Sequence, residues 1–207
     1  MVTLRNILRR VVGFSAVAFC LLATAPAQEP RTETIVFIRH GEKPDHEIGN
    51  LNCQGLNRAL ALPEVLIHKF GKANYIFAPG TTDRTTDGIK YSYIRPLITI
   101  APTAIRLGLP VNADFGFEDF QGLATELEKP QYAGALVFVA WEHRKLVDAV
   151  KQLETDLHGT DAVPNWDRGE FDAIYVVKIT TNGDKREVHL SFDKENLHPA
   201  VDCAPAQ

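Results

Sequence analysis

The chain contains the sequence Thr34-Ile35-Val36-Phe37-Ile38-Arg39-His40-Gly41-Glu42-Lys43, in which a run of β-branched and aromatic residues ends at an arginine and a histidine. Such an apolar run is typical of a strand that is buried on both faces of a sheet. In open α/β sheets, ligands bind at the carboxyl ends of the strands. The cation and the imidazole of Arg39-His40 therefore lie where a reactive site is expected.

Alternating strands and helices along the rest of the chain predict an α/β fold. Residues 75–78 and 135–140 are short apolar strands, and residues 51–70 and 145–157 show helical spacing of apolar side chains. We predict a three-layer sandwich in which a mainly parallel central sheet is flanked by helices. The turn Asn182-Gly183 lies between two further strands and predicts a C-terminal hairpin.

Prolines and a polar segment interrupt these elements. Pro63 is expected to break or bend the first helix. Residues 81–88, which are rich in Thr and Asp, are expected to form a loop, and residues 91–107 have helical character in at least two pieces. Pro96 is tolerated in the first turn of a helix, which would put Arg95 at the start of that helix.

The first residues have the pattern of a cleavable secretory signal. Residues 11–23 are apolar and uncharged after a basic leader, and Ala25-Pro26-Ala27 supplies the small residues that signal peptidase reads. The apolar segment is shorter than the roughly 20 residues that a membrane span needs. We expect residues 1–27 to be removed, leaving a periplasmic domain of residues 28–207 with no membrane span; a retained anchor is the alternative.

The charge of the mature domain argues against a nucleic-acid partner. Residues 28–207 hold 19 Lys and Arg against 26 Asp and Glu, so the net charge is about −7. Proteins that bind nucleic acids or anionic membranes usually carry a basic patch or tail. Cys53 and Cys203 remain after signal removal, and an exported protein can join them. The sequence leaves this disulfide and the oligomeric state open.

Two predicted strands are followed by a histidine. His40 follows the first strand, and His143 follows the strand at residues 135–140. If both strands are central and parallel, both imidazoles emerge at one edge of the sheet, together with Arg39 and Arg95. Arginine can bind two phosphate oxygens at once, and a neutral histidine can attack phosphorus. The combination predicts an anion site that contains a nucleophile.

Three blocks in this order resemble the histidine phosphatase superfamily, which includes phosphoglycerate mutase-like enzymes. The first is Arg39-His40-Gly41-Glu42 after the apolar strand. The second is Arg95 with Thr99 four residues later, and the third is the strand that delivers His143. The resemblance extends over residues 33–155, most of the predicted mature domain.

This resemblance implies a covalent mechanism. His40 would attack the phosphoryl group and become phosphohistidine, which water would later hydrolyse. Arg39, Arg95 and His143 would hold and neutralise the phosphoryl oxygens. No metal and no other cofactor is required, and the expected partner is a small phosphorylated substrate or inorganic phosphate.

The general acid that protonates the leaving group is left open. Glu118 lies roughly where mutase-like members keep their glutamate, and it is assigned to catalysis on that basis. Asp119 and Glu142 are rivals. Some members of the superfamily with good leaving groups work without a dedicated acid.

Additional substrate contacts are assigned beside the nucleophile and in the polar segment. Gly41 is predicted to bind substrate, and Lys43 either raises the affinity for anions or is simply exposed. Arg84 competes with Arg95 for the role of second arginine, although Thr99 favours Arg95.

These assignments predict an exported phosphomonoesterase that acts on a small phosphorylated metabolite or an envelope sugar phosphate. A phosphomutase and a non-catalytic phosphate- or phosphosugar-binding protein are the alternatives. Export argues against a glycolytic mutase, and the presence of both His40 and His143 argues against a protein that only binds. A cysteine phosphatase loop is excluded because Cys53 and Arg58 enclose four residues where that loop needs five.

Overall fold

The computed structural model describes residues 29–46 and 48–203, so the predicted signal at residues 1–27 lies outside the described residues. The elements are β1 (Arg31–Arg39), α1 (Cys53–Phe70), β2 (Tyr75–Phe77), β3 (Thr82–Thr86), β4 (Ile89–Tyr93), α2 (Arg95–Leu107), α3 (Phe120–Leu127), a 3-10 helix (Pro130–Tyr132), β5 (Leu136–Trp141), α4 (His143–Asp156), β6 (Ala173–Asn182) and β7 (Lys185–Lys194). Within this part of the chain, no helix has the length and apolar character needed to cross a membrane.

A five-stranded sheet forms the centre of the fold, in the order β2-β5-β1-β6-β7. β2, β5 and β1 run parallel, whereas β6 is antiparallel to β1 and β7 is antiparallel to β6. Parallel neighbours need a long crossover, and the helices between these strands provide it. The predicted α/β class, with a mainly parallel central sheet flanked by helices, is confirmed.

Two hydrophobic clusters cover opposite faces of this sheet, because successive side chains of a strand alternate between faces. Val36 and Ile38 pack with side chains of α1 and α2. Ile35 and Phe37 pack with side chains of α3 and α4. All four side chains are fully buried. The interior of β1 is therefore held on both sides, which gives the loop after it a rigid support.

The polar segment at residues 81–88 belongs to a β-hairpin, so the predicted loop is wrong. β3 and β4 pair antiparallel around Asp87-Gly88, whose φ angles are 53° and 77°. An Asp-Gly turn with two positive φ angles matches the twist of paired strands and favours a hairpin. Tyr91 and Tyr93 consequently belong to β4, and the following helix begins at Arg95.

Helix α1 continues through Pro63, so the predicted break there is wrong. A proline removes one backbone hydrogen bond from a helix interior. Leu62 and Leu66 on this helix are completely buried in the cluster that it shares with the sheet. Burial of such side chains contributes about 2 kcal/mol each, which offsets the missing bond.

A disulfide joins Cys53, the first residue of α1, to Cys203. Beside it, the side-chain amide of Asn57 donates hydrogen bonds to the carbonyl oxygens of Ala200 and Asp202, at 2.8 and 2.9 Å. The pairing that the sequence left open is thus present. It ties the C-terminal segment to the start of α1 across a sequence separation of 150 residues.

The buried carboxyl of Glu33 predicts a stability that falls with rising pH. Glu33 is 2% exposed, and burial raises its pKa from 4.5 to about 8, opposed by Arg186 and reinforced by Glu128. The folded protein keeps a proton that the unfolded chain loses, so this stabilisation is complete below pH 4.5 and is lost as pH rises through 8. Glu33→Gln should therefore flatten the decline in unfolding free energy between these values by up to about 1.4 kcal/mol per pH unit.

Urea denaturation at a series of pH values measures this slope. Glu29→Gln, at an exposed position, is the matched control and should keep the wild-type slope. An unchanged slope in Glu33→Gln would show that this carboxyl does not carry the pH dependence.

Candidate active site

The carboxyl ends of β1 and β5 bring the two histidines to one edge of the sheet. Arg39 of β1 is paired with Trp141 of β5, and the backbone N–H of His40 donates a hydrogen bond to the Trp141 carbonyl oxygen at 3.1 Å. A cleft of about 370 Å³ lies at this edge. The residues singled out in the sequence that line it are Arg39, His40, Lys43, Arg84, Arg95, Glu118, Glu142 and His143.

His40 is a buried and neutral imidazole. It is 2% exposed, and its Nδ1 lies 2.8 Å from the Gly41 carbonyl oxygen. A carbonyl only accepts, so Nδ1 carries the proton and Nε2 keeps its lone pair. Burial lowers the pKa of His40 to about 3, and the neighbouring Arg95 and Arg39 act in the same direction. The ring nitrogen left for reaction at neutral pH is therefore an unprotonated Nε2.

Gly41 packs closely against α1, and its predicted contact with substrate stays a prediction. Its N–H donates to Thr99 Oγ1 at 2.9 Å, and the Thr99 hydroxyl donates to the Arg95 carbonyl oxygen at 2.8 Å. A Cβ at this position would lie 2.9 Å from the Gly55 Cα of α1. Glycine is required because two backbones approach closely here. The resulting chain of hydrogen bonds couples the loop after β1 to the start of α2.

Arg39 is fixed by a loop that sequence reasoning missed. Its Nη1 donates to the carbonyl oxygens of Arg168 and Glu170, at 2.7 and 2.8 Å, and its Cζ lies 3.8 Å from the centroid of the Phe171 ring. Burial lowers the pKa of Arg39 to about 10, so the guanidinium stays charged at neutral pH. These partners lie about 130 residues away in the chain, and no local pattern marks them.

Arg95 begins α2, with Pro96 in the first turn as the sequence predicts. Its side chain is 5% exposed, and its Cζ lies 4.7 Å from the centroid of the Tyr93 ring. Stacking on an aromatic face orients a guanidinium without neutralising it. Tyr93, which the sequence analysis did not assign to the site, also lines the cleft. Burial raises the pKa of its hydroxyl, which therefore stays protonated.

Glu142 orients His143 and caps α4. Its Oε2 accepts hydrogen bonds from the backbone N–H groups of Arg144 and Lys145, at 2.9 and 3.0 Å, and its Oε1 lies 2.7 Å from His143 Nδ1. Burial pushes the pKa of Glu142 upward, but the contact with His143 and the bonds from the backbone outweigh it and lower the pKa to about 2. An ionised carboxylate with these partners is unsuited to act as a general acid.

The other two candidate carboxyls differ in their surroundings. Asp119 is the N-cap of α3, and its Oδ1 accepts a hydrogen bond from the Gly122 N–H at 2.9 Å. Glu118 is exposed and lines the cleft. In residues 29–46 and 48–203, nothing forms an ion pair or hydrogen bond with its carboxyl. Of the three rivals, Glu118 is the one whose carboxyl is not engaged in a structural contact within the described residues.

Lys43 and Arg84 both lie at the cleft. Lys43 is half-buried, so the alternative of a simply exposed side chain is not what the structure shows. Arg84 extends from β3, and its Cζ lies 4.5 Å from the centroid of the Phe117 ring and 5.8 Å from that of Tyr93. Because the hairpin carries Arg84 to the same cleft as Arg95, the two arginines are not exclusive alternatives.

Glu42, the last residue of the first motif block, belongs to a buried ionic cluster. Arg58 of α1 donates to both Glu42 carboxylate oxygens at 2.8–3.2 Å, contacts Glu195, and lies 3.5 Å from Asp172. Burial raises the pKa of Glu195 to about 8, although Arg58 opposes the shift. One guanidinium thus contacts three carboxyl groups and ties the loop after β1 to α1 and to the C-terminal segment.

The cleft has a strongly cationic lining. Two histidines and two carboxylates share it with seven cations, namely Arg39, Lys43, Arg84, Arg95, Arg144, Lys145 and Arg168. Such a site attracts and orients a dianion. In the described part of the chain, no three His, Cys, Asp or Glu side chains are grouped so that they could hold a metal ion.

Similar folds occur among solved structures, although no protein-family model and no curated protein matches this chain. A Nakamurella multipartitia protein assigned as phosphohistidine phosphatase SixA aligns with 15% identity and a TM-score of 0.48, covering 84% of this chain and 98% of that one. A mycobacterial glucosyl-3-phosphoglycerate phosphatase, solved with inorganic phosphate, aligns with 17% identity and a TM-score of 0.47, covering 77% and 95%. A phosphoserine phosphatase from Entamoeba histolytica aligns with 10% identity and a TM-score of 0.46, covering 79% and 98%.

Proposed function

We propose that this protein is a phosphomonoesterase of the histidine phosphatase superfamily and works through a phosphohistidine intermediate. The observation that carries this proposal is His40, a buried neutral imidazole with one committed nitrogen, in a cleft that also contains Arg39, Arg95 and His143. The three sequence blocks that resemble the superfamily contain these same four residues. A cation-rich site suits phosphoryl transfer, which depends mainly on positioning and charge stabilisation.

In the first step, His40 Nε2 attacks phosphorus and forms a P–N bond. The bond between phosphorus and the leaving-group oxygen breaks, its electron pair goes to that oxygen, and Glu118 supplies the proton. Arg39, Arg95 and His143 hold the three phosphoryl oxygens as charge redistributes. In the second step, water attacks phosphorus, Glu118 accepts the proton of that water, and the electron pair of the P–N bond returns to Nε2. Inorganic phosphate leaves.

Trapping the intermediate tests this function. The purified protein, incubated with a labelled phosphomonoester and quenched in alkali, should retain label that is stable in base and released by acid, as expected of phosphohistidine. Steady release of inorganic phosphate should accompany it. Binding of phosphate with neither hydrolysis nor label would favour the non-catalytic alternative, and transfer of the phosphoryl group within the substrate would favour a mutase.

Glu118→Gln tests the assignment of the general acid. A glutamine cannot donate the proton to the leaving group, so kcat/KM, which reports the steps up to the phosphohistidine, should fall by about 100-fold for an alkyl phosphate. For p-nitrophenyl phosphate, whose leaving group needs little protonation, kcat/KM should change by less than about fivefold. Asp119→Asn, which retains an N-cap side chain, is the control and should not distinguish the two substrates. Equal losses on both substrates in Glu118→Gln would refute the role.

We also propose that the enzyme works after export, on a small phosphorylated metabolite or an envelope sugar phosphate. The basic and apolar leader at residues 1–27 supports export, and the Cys53–Cys203 disulfide is a bond that persists in oxidising compartments. Fractionation of the producing cells should yield a periplasmic protein whose N-terminal sequence begins near Gln28. A cytosolic protein that retains its leader would refute this part of the proposal.

A further inference from the structure

A second cavity adjoins the proposed phosphoryl site. It has a volume of about 300 Å³ and shares His143, Arg144 and Arg168 with the main cleft. Its other lining residues are Val147, Asp148, Lys151, Asn165 and Trp166. A substrate whose phosphoryl group lies beside His40 can therefore extend past His143 into this cavity.

The two arginines at the junction of the cavities carry uncompensated charge. The side chains of Arg144 and Arg168 form no ion pair and no hydrogen bond with any other residue that the structure describes. The carboxylate in this cavity, Asp148, lies 3.5 Å from Lys145 Nζ and is paired there. Lys151 adds a further cation, and its Nζ donates to Asn165 Oδ1 at 3.3 Å. The local excess of positive charge favours an anion.

The loop that carries Arg168 is fixed relative to the phosphoryl site. The Arg168 carbonyl oxygen accepts a hydrogen bond from Arg39 at 2.7 Å. Trp166 Nε1 donates to the Glu170 carbonyl oxygen at 2.9 Å, and the Gly169 N–H donates to Asp167 Oδ1 at 2.7 Å. The backbone at Arg168 is thus preorganised next to Arg39, which reduces the entropy cost of binding a second group there.

The opposite end of the cleft has a different charge. A cavity of about 440 Å³ shares Arg84, Phe117 and Glu118 with the cleft, and it is also lined by Asp83 and Asp119. Asp83 is paired with Lys90 Nζ at 2.6 Å, but Glu118 and Asp119 still outnumber the single arginine, which disfavours an anion at this end. A second negative group on the substrate is therefore directed towards Arg144 and Arg168.

We propose that the preferred substrate is a phosphomonoester whose leaving group carries a second phosphate, and that Arg144 and Arg168 bind this second phosphate. The inference rests on the proposed function, because it takes the phosphoryl group cleaved to be the one beside His40. Two guanidinium groups balance the charge of a phosphate dianion and can each bind two of its oxygens. A carboxylate, with a single charge, should be recognised less well at the same place.

Matched pairs of substrates test this proposal. The wild-type protein is assayed with four- and six-carbon alkanediol bisphosphates, with the corresponding monophosphates, and with analogues that carry a terminal carboxylate. We expect kcat/KM for the better bisphosphate to exceed that of its monophosphate by about tenfold or more, with the carboxylate analogue between them and the preference falling as salt is added. The double variant Arg144→Gln/Arg168→Gln should reduce the ratio to about two, the statistical factor for two equivalent phosphates. Arg31→Gln, at the exposed start of β1 away from the cleft, should keep the wild-type ratio.

The outcomes separate this inference from the proposed function. A kcat/KM ratio of bisphosphate to monophosphate of about two or less in the wild type, or a ratio above two that survives in the double variant, would overturn the inference and leave the phosphatase assignment standing. If no substrate is hydrolysed, calorimetric titration with the same compounds measures whether the second phosphate is bound at Arg144 and Arg168. Tighter binding of the bisphosphate that is lost in the double variant would uphold the second site and refute the catalytic role, whereas equal binding would refute both.

Discussion

His40→Ala is expected to abolish phosphatase turnover, with kcat falling by about ten-thousand-fold or more and no acid-labile phosphoprotein formed. The reason is chemical: the P–N bond of the proposed intermediate forms at Nε2 of this ring, whose Nδ1 is committed to the Gly41 carbonyl. The fold should persist, because the hydrogen bond from Gly41 to Thr99 still holds the loop. Steady-state kinetics with p-nitrophenyl phosphate, together with circular dichroism, measure both effects.

His68→Ala is the matched control for this variant. His68 is exposed in the last turn of α1, outside the cleft, so its loss should leave kcat within about twofold of wild type. A folded His40→Ala protein that keeps wild-type turnover would refute the mechanism. In the wild type, burial lowers the pKa of His40 to about 3, so protonation of the nucleophile should cause no loss of kcat/KM above about pH 4.

Arg58→Met is expected to cause the largest loss of stability, about 3–5 kcal/mol of the free energy of unfolding. Methionine fills a similar volume, but it leaves the carboxyl groups of Glu42, Glu195 and Asp172 without their shared cation. Glu42 is buried, and leaving its charge unpaired there is costly, whereas the raised pKa of Glu195 keeps that buried carboxyl mostly protonated at neutral pH. The midpoint of thermal unfolding should fall by about 6–20 °C for a domain of this size.

The pH dependence of the Arg58→Met effect distinguishes lost charge pairing from lost packing. Burial already raises the pKa of Glu195 to about 8 in the wild type, and removing the guanidinium that opposes this shift raises it further. Below pH 8 both folded proteins hold the Glu195 proton, so the deficit of the variant should grow as pH rises above about 8, where the carboxyl ionises in the wild type but stays protonated in the variant. A deficit that is independent of pH would indicate packing alone. Arg106→Met removes an exposed ion pair between α2 and Glu64 of α1, and it should cost less than about 1 kcal/mol at any pH.

The sequence was most informative where a chemical group directly follows a regular element. His40 and His143 each follow an apolar strand, and Arg95 precedes a proline that a helix accommodates most readily in its first turn. These positions follow from local sequence rules, so they could be predicted without knowing the fold. The same local reasoning missed the Asp87-Gly88 turn, and with it the hairpin that carries Arg84 to the cleft.

The choice among the candidate acids could not be made from the sequence. Glu118, Asp119 and Glu142 are alike as residues, and their neighbours along the chain do not rank them. Their contacts do, because Asp119 caps α3 and Glu142 both caps α4 and orients His143. Each distinction depends on which backbone N–H groups and ring nitrogens lie within hydrogen-bonding distance.

By itself, the sequence determined that a buried strand ends at Arg39 and is followed by His40, because a short run of β-branched and aromatic residues favours a strand buried on both faces of a sheet, and charged residues end such a run. It did not determine what holds those side chains. The contacts that hold them join residues that are 14 to 137 positions apart. They are the carbonyl groups that bind Arg39, the cluster around Arg58 and the close approach of Gly41 to Gly55. Only the tertiary structure decided them, since contacts at such separations form when parallel strands and their crossover helices bring distant segments to one edge of the sheet.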